Sequence, residues 1–255
     1  VSPGDVTVSF NGVGQLDFTK SLVTQVEFLG YGGDDWFMNT TDLGSTAFGH
    51  NGDDFLYGGS SADQFQGGNG NDLMFGNDGN DGLRGNAGDD VIHAGEGADY
   101  LYGGNDNDHM FGNAGNDTMY GGTGNDYMNC ADGDDIAFGF DGNDTIIGGL
   151  GVDELYGQND NDNVQGNEGD DNLWGNNGDD TIRGGDGADK IVGGDDDDII
   201  IGEAGNDELF GSNGHDVIYG GEGADLILAG DGNDLVWANE GADIVWGGYG
   251  NDNLN

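Results

Sequence analysis

The chain is short of nearly everything a conventional globule uses to hold itself together. Only 4 of its 255 residues are Lys or Arg, against 51 Asp and Glu, which leaves a formal charge of −47. Phosphate backbones and anionic membrane surfaces are bound by clustered cations, so Lys20, Arg84, Arg183 and Lys190 exclude nucleic acid and argue against anionic membranes as partners. The single cysteine, Cys130, closes no internal disulfide. No apolar run approaches the roughly 18 residues needed to span a bilayer. The opening VSPGDVTVSF lacks the charged and apolar regions of a secretory signal, so the chain reads as soluble and as a mature piece. Only 34% of the residues are hydrophobic, so an ordinary core is excluded as well. A compact chain at −47 repels itself and calls for positive counter-charge.

Glycine is what the chain has in excess, 57 residues of it, and it is not scattered. Cut at Gly49, the sequence runs to Asn255 as 23 consecutive blocks of nine without an insertion. Place six is always Asp. Place four is Gly except at Ser61, Asp106, Asp160 and Asp196, and place eight is apolar throughout, from Leu56, Phe65 and Met74 through Ala137 to Val245 and Leu254. A disordered Gly/Asp tail is the competing reading. Random polar low complexity does not hold an apolar residue at one place of every block, so the period is structural.

The split within each block predicts the geometry. Six Gly-rich residues supply turns and the last three a very short strand, with place eight inward and places seven and nine outward. Two blocks make one 18-residue coil. Some 12 coils stacked at about 4.8 Å then give two parallel sheets over a thin core, a rod of roughly 60 Å. The register predicts that GYGGDDWFM (30–38) belongs to the same stack, with Asp35 at place six and Phe37 at place eight, although the next stretch, NTTDLGSTAF (39–48), has ten residues and no motif Asp. Residues 1–29, with strand-like VTVSF and LVTQVEFLG, are expected to be a cap or the end of a preceding segment, and 30–255 the repeat domain.

Carboxylates and backbone carbonyls are hard oxygen donors that suit Ca²⁺; Zn²⁺ would want His or Cys, and His50, His93, His109 and His215 do not cluster by spacing. One loop offers too few ligands, so each ion is expected between two loops of the same edge, 18 residues apart. The candidate ligands on one edge are Asp35, Asp54, Asp72, Asp90, Asp108, Asp126, Asp144, Asp162, Asp180, Asp198, Asp216, Asp234 and Asp252. On the other they are Asp63, Asp81, Asp99, Asp117, Asp135, Asp153, Asp171, Asp189, Asp207, Asp225 and Asp243. About 22 intervals, each holding one divalent ion, would bring about +44 against −47. The alternative is that these aspartates only form solvated turns, but carboxylates stacked about 5 Å apart repel without a cation between them.

Blocks such as GGDGADKIV (184–192), GGEGADLIL (220–228) and GGTGNDYMN (121–129) resemble the nonapeptide repeats of the RTX (repeats-in-toxin) family over about 207 residues. The resemblance implies a right-handed parallel β-roll with Ca²⁺ between successive loops, held by loop carbonyls and the place-six Asp. It also implies secretion from bacteria, with folding on meeting extracellular calcium. Ala94, Cys130, Ala229 and Ala238, where the first Gly is replaced, mark loops whose geometry is expected to differ.

Members of this family often carry an enzyme domain ahead of the repeats. Here there is no H-E-x-x-H and no G-x-S-x-G, and FGSNG (210–214) is a turn of a repeat, so no catalysis is expected. Place nine of the Asp63-type blocks runs Gln66, Arg84, Tyr102, Tyr120, Phe138, Tyr156, Trp174, Val192, Phe210, Leu228, Trp246. This row reads either as strand formers stacking on one another or as a stripe for association. The last block, GGYGNDNLN, presents an open strand edge, read as a trimming point or as a head-to-tail contact with the next molecule. Two functions follow as expectations: a secreted calcium-loaded structural roll, plausibly polymerising into a fibre or matrix, or the repeat region of a larger secreted enzyme or adhesin.

Overall fold

The computed structural model describes residues 5–9, 15–19 and 24–255 of the chain. Asp5–Ser9 (β1) and Gln15–Thr19 (β2) pair antiparallel, with Asp5 opposite Thr19. From Val26–Leu29 (β3) and Trp36–Met38 (β4) onward the strands alternate between two 13-stranded parallel sheets. Odd-numbered strands build one sheet up to Ile244–Tyr249 (β27), and even-numbered strands the other up to Asn253–Leu254 (β28). The protein is an all-β parallel solenoid of about 13 turns. Val26 already faces Ser45 across a parallel ladder, so the stack begins before the boundary at residue 30 expected from the repeats.

Each strand pairs with the one 18 residues on, as Val91 with His109 and Leu173 with Ile191. Only the first coil steps by 19, with Phe37 opposite Leu56, which absorbs the extra residue of 39–48. The strands are longer than the three residues the pattern predicts. Leu73–Asp78, typical of the rest, runs from place seven through place three of the next block. Place one continues the inward alternation after place eight. Place two then bends the chain through the left-handed region, where Asn77, Asn113 and Asn167 have φ of 75°, 75° and 80°. Ladder pairing skips place one and resumes at place two, Gly95 facing Asn77 and Glu96 facing Asp78.

The inward row is the core. Place eight is fully buried from Leu56 to Val236, including Met74, Leu101, Leu155 and Ile218, while places seven and nine lie outside. A fully buried Leu or Met side chain contributes roughly 1.5–3 kcal/mol. The inward place one has room for little, so it is Gly, Ala or Cys; Ala94, Cys130 and Ala229 are fully buried there. This thin, single-file core fixes the two loop edges relative to each other and stacks their place-six aspartates in register.

Candidate metal centres

All 24 expected ligands lie on the two loop ladders. Except for the last on each edge, Asp243 and Asp252, the backbone N–H of each donates to Oδ1 of the Asp one coil further on, at 2.7–3.2 Å, through 22 pairs from Asp35–Asp54 to Asp234–Asp252. Asp35 therefore sits where the one-residue correction predicts. The backbone carbonyl of each Asp is also used: Asp54 accepts from the N–H of Leu73, and Asp189 from that of Glu208, both at 2.8 Å. One carboxylate oxygen thus serves the backbone of the preceding coil.

The other oxygen does not. In 20 of the ladder residues Oδ2 is buried and meets no hydrogen-bond donor, among them Asp54, Asp72, Asp126, Asp189 and Asp234. These side chains are 0–3% exposed, so solvated turns do not describe them. Oδ2 points back over place one of its own loop, which is Gly in most coils. A Cβ on Gly184 would collide with Oδ2 of Asp189 and lie 2.8 Å from the carbonyl oxygen of Gly202 in the next coil. The same pairing of a carboxylate oxygen with a carbonyl oxygen around a missing Cβ recurs at Gly139, where a Cβ would collide with Oδ2 of Asp144 and lie 2.7 Å from the carbonyl of Gly157. Among the described residues no three His, Cys, Asp or Glu side chains converge, so a cation here would have to draw on one or two carboxylates and otherwise on carbonyls. That donor set is hard, oxygen-only and repeated, and it fits Ca²⁺.

Burial pushes interior ladder carboxyls far above the usual carboxylate range, Asp72, Asp144 and Asp189 to about 7, and Asp108, Asp162 and Asp198 to about 8. Loss of hydration is the largest cause. The N–H bond from the preceding Asp opposes it, and the neighbouring ladder carboxylates add to it. A buried anion with one unsatisfied oxygen is costly unless a cation joins it.

A family model for the RTX calcium-binding nonapeptide repeat matches the chain at 48–83, 75–110, 102–137, 120–155, 156–191, 192–227 and 219–254. The chain belongs to the RTX calcium-binding repeat family. Among solved structures, this RTX roll is similar to a hyperactive, Ca²⁺-dependent, β-helical antifreeze protein from an Antarctic bacterium. The TM-score is 0.52 and the identity 21%, over 93% of this chain and 85% of the other. No curated protein matches the RTX chain.

Three features of the RTX roll escape the repeat pattern. Ser45 occupies the place-six position before Asp63, its N–H and Oγ both donating to Asp63 Oδ1 at 2.5 and 2.6 Å. Asp63 is also unlike the other ladder residues in that its Oδ2 has a partner, the N–H of Gly59 at 2.8 Å. The loop with the extra residue is held by Asn39, whose side chain spans it. The signal for the first was available, since Ser45 lies 18 residues before Asp63; the other two depend on a loop with no repeat to compare.

Outside the ladders, the aromatic row of place nine stacks on itself. Tyr120, Phe138, Tyr156 and Trp174 follow at centroid separations of 5.3, 4.7 and 4.4 Å, with interplanar angles of 11°, 6° and 5°. On the other sheet His93 lies between Phe75 and Phe111 at 4.9 and 4.5 Å, and burial there lowers its pKa. From Tyr120 to Trp174 the ring faces are spent on one another, which favours strand stacking there over a stripe that offers faces to a partner. Cys130 is buried and its thiol is pushed well above its ordinary pKa by burial and by nearby carboxylates, the opposite of a nucleophile's setting.

Proposed function

We propose that the chain is a calcium-loaded structural roll without catalytic activity, in which Ca²⁺ taken up between stacked loops makes the fold stable. The observation that carries this reading is the set of 20 buried Oδ2 atoms without a donor, most of them beside a place-one glycine that also faces a loop carbonyl of the next coil. In this reading the ladder aspartates except Asp63 hold the ions together with carbonyls of the Gly-rich loops, and each bound ion supplies the charge that lets its carboxylate stay ionised. The number of ions is about 20. The chain works outside the cell, where calcium is abundant, and the β1–β2 pair acts as a cap; typical secretion of RTX proteins supports the location. Among the described residues no helix is long and apolar enough to cross a membrane. End-to-end association into a fibre is the finer form of the proposal, supported by the sameness of every rung, since a parallel ladder can be continued by any chain that offers the same register. Circular dichroism during EGTA treatment at low ionic strength tests the core of it: retention of full β signal without calcium overturns it. Electron microscopy at millimolar calcium tests the fibre, which short monodisperse rods would rule out.

A second reading, an antifreeze role, is favoured by the difference between the two edges. On the Asp54 edge place five is Asn, Asp or His in every coil, and each side chain accepts the N–H of the next, as in Asn107–Asn125–Asn143–Asn161 at 2.8–2.9 Å. On the other edge the same row is interrupted by Ala62, Ala98, Val152, Ala188, Ala224 and Ala242. One edge therefore carries a rigid, evenly spaced comb of exposed polar groups. Thermal hysteresis measured with calcium present, lost in Asn125→Leu/Asn143→Leu, would support this role; no hysteresis in the parent protein removes it.

A further inference from the structure

The RTX repeat treats every interval alike, but one interval of this roll does not have the cation-seeking chemistry of the others. It lies between loop 39–45 and loop 58–63. Asn39 stands where the next coils carry Gly58 and Gly76, and it is buried at 3% exposure. Its Nδ2 donates to the Leu43 carbonyl at 2.6 Å, and its Oδ1 accepts from the N–H and Oγ1 of Thr41 at 3.0 and 2.8 Å. Thr41 Oγ1 in turn accepts the N–H of Leu43 at 3.1 Å. The loop is closed on itself by an amide side chain.

The oxygens on both sides of this interval are also engaged. Asp63 Oδ1 accepts two donors from Ser45, and Oδ2 accepts the Gly59 N–H. The carbonyl of Thr41 accepts Ser60 N–H at 3.2 Å, that of Asp42 accepts Ser61 Oγ at 2.8 Å, and that of Gly58 accepts Asn77 Nδ2 at 3.0 Å. Both carboxylate oxygens have partners here, whereas every other fully buried ladder Asp leaves Oδ2 without one. A cation entering this interval would have to displace protein donors rather than satisfy bare acceptors.

We infer that this interval is closed by the protein itself, that Asp63 is a positioning residue and not a calcium ligand, and that the coil 39–63 forms without calcium and is the seed on which the calcium-dependent coils stack. The inference rests on the calcium reading for the remaining coils but makes its own demand on the calcium-free chain. Stacking on a pre-formed rung avoids the costly first closure, so growth of the roll acquires a starting point and a direction.

Hydrogen exchange on the full chain in EGTA tests it. The amides of Leu43, Ser45, Gly59 and Ser60 should exchange at least tenfold more slowly than those of Asp108, Asp126 and Asp144. Asn39→Ala should abolish that difference while leaving the calcium content at saturation unchanged. Ion counting by native mass spectrometry gives the second arm: Asp63→Asn should keep the parent's count and Asp81→Asn should lose at least one ion. Equal exchange at both sets of amides overturns the seed, and loss of an ion in Asp63→Asn overturns the assignment of Asp63. A parent that binds no calcium at all overturns the calcium reading instead, while the exchange comparison still decides the seed.

Discussion

Oδ1 of Asp189 accepts the backbone N–H of Asp171 at 2.9 Å, while Oδ2 of the same carboxylate is buried against the backbone of Gly184 with no donor. The two oxygens of one side chain thus have different duties, one to the preceding coil and one to whatever supplies positive charge. Most of the behaviour expected of the roll follows from that division.

Without calcium, stability should fall as pH rises. From Asp72 to Asp216, Asp99 apart, the ladder carboxyls have folded-state pKa values raised to about 6–8, against 3.8 for the ordinary side chain. Between pH 4 and 8 the folded state therefore binds more protons than the unfolded one, so unfolding becomes easier with each increment of pH. Calcium-free protein should be most structured near pH 4 and lose β signal as pH passes through 6 to 8. Saturating calcium should flatten that curve, because the ion takes the proton's place. Chemical denaturation at pH 4.5 and 8 with EGTA checks the sign; greater stability at pH 8 would contradict it.

Replacing one interior ladder residue, Asp126→Asn, should act in opposite directions in the two states. Asn keeps an Oδ1 to accept the N–H of Asp108 and removes a buried, unpaired anion. In EGTA at neutral pH the variant should be at least as stable as the parent. With calcium it should be less stable, on the order of 1–3 kcal/mol, through loss of a charged ligand. Paired denaturant titrations give both numbers.

Gly184→Ala places a methyl group between Asp189 Oδ2 and the Gly202 carbonyl. Overpacking of this kind typically costs about 1–3 kcal/mol. The loss should be largest in calcium, where both oxygens are wanted as ligands, and calorimetry at saturating calcium should show it. Ala94, Ala229 and Ala238 are the natural occurrences of the same methyl group, and the neighbouring loops are where weaker calcium binding is to be looked for by titration.

Tyr156→Ala removes the ring between Phe138 and Trp174. Each stacked pair is worth roughly 0.5–1.5 kcal/mol beyond buried area, so a loss of about 1–3 kcal/mol is expected. If the stack is only internal reinforcement, sedimentation in calcium should be unchanged. A shift to smaller species would mean that the row also holds copies together.

The fold was legible because each rung of a parallel roll meets the same surroundings as its neighbours, and the chain therefore repeats itself. Place eight identified the core from Leu56 to Val236, and a single subtraction put Asp35 beside Asp54. The split role of each carboxylate was not legible, because it depends on which oxygen faces which coil. Nor was the inward direction of place one, since Gly shows no hydrophobicity to betray it. The break in the period at 39–48 was visible, but the way Asn39 closes that loop was not, because it occurs once and has no repeat to compare.

The strand register advances by 18 while the sequence advances by nine, and the two edges differ at place five. Gain or loss of a pair of blocks lengthens or shortens the rod and leaves every row in phase. Gain or loss of one block is a frameshift in space: the core row and both carboxylate ladders continue, but everything downstream exchanges edges, so the unbroken polar comb ends at that coil and resumes on the opposite side. Length is thus free to vary in units of two blocks, whereas a change of one block would preserve the fold and divide its surface.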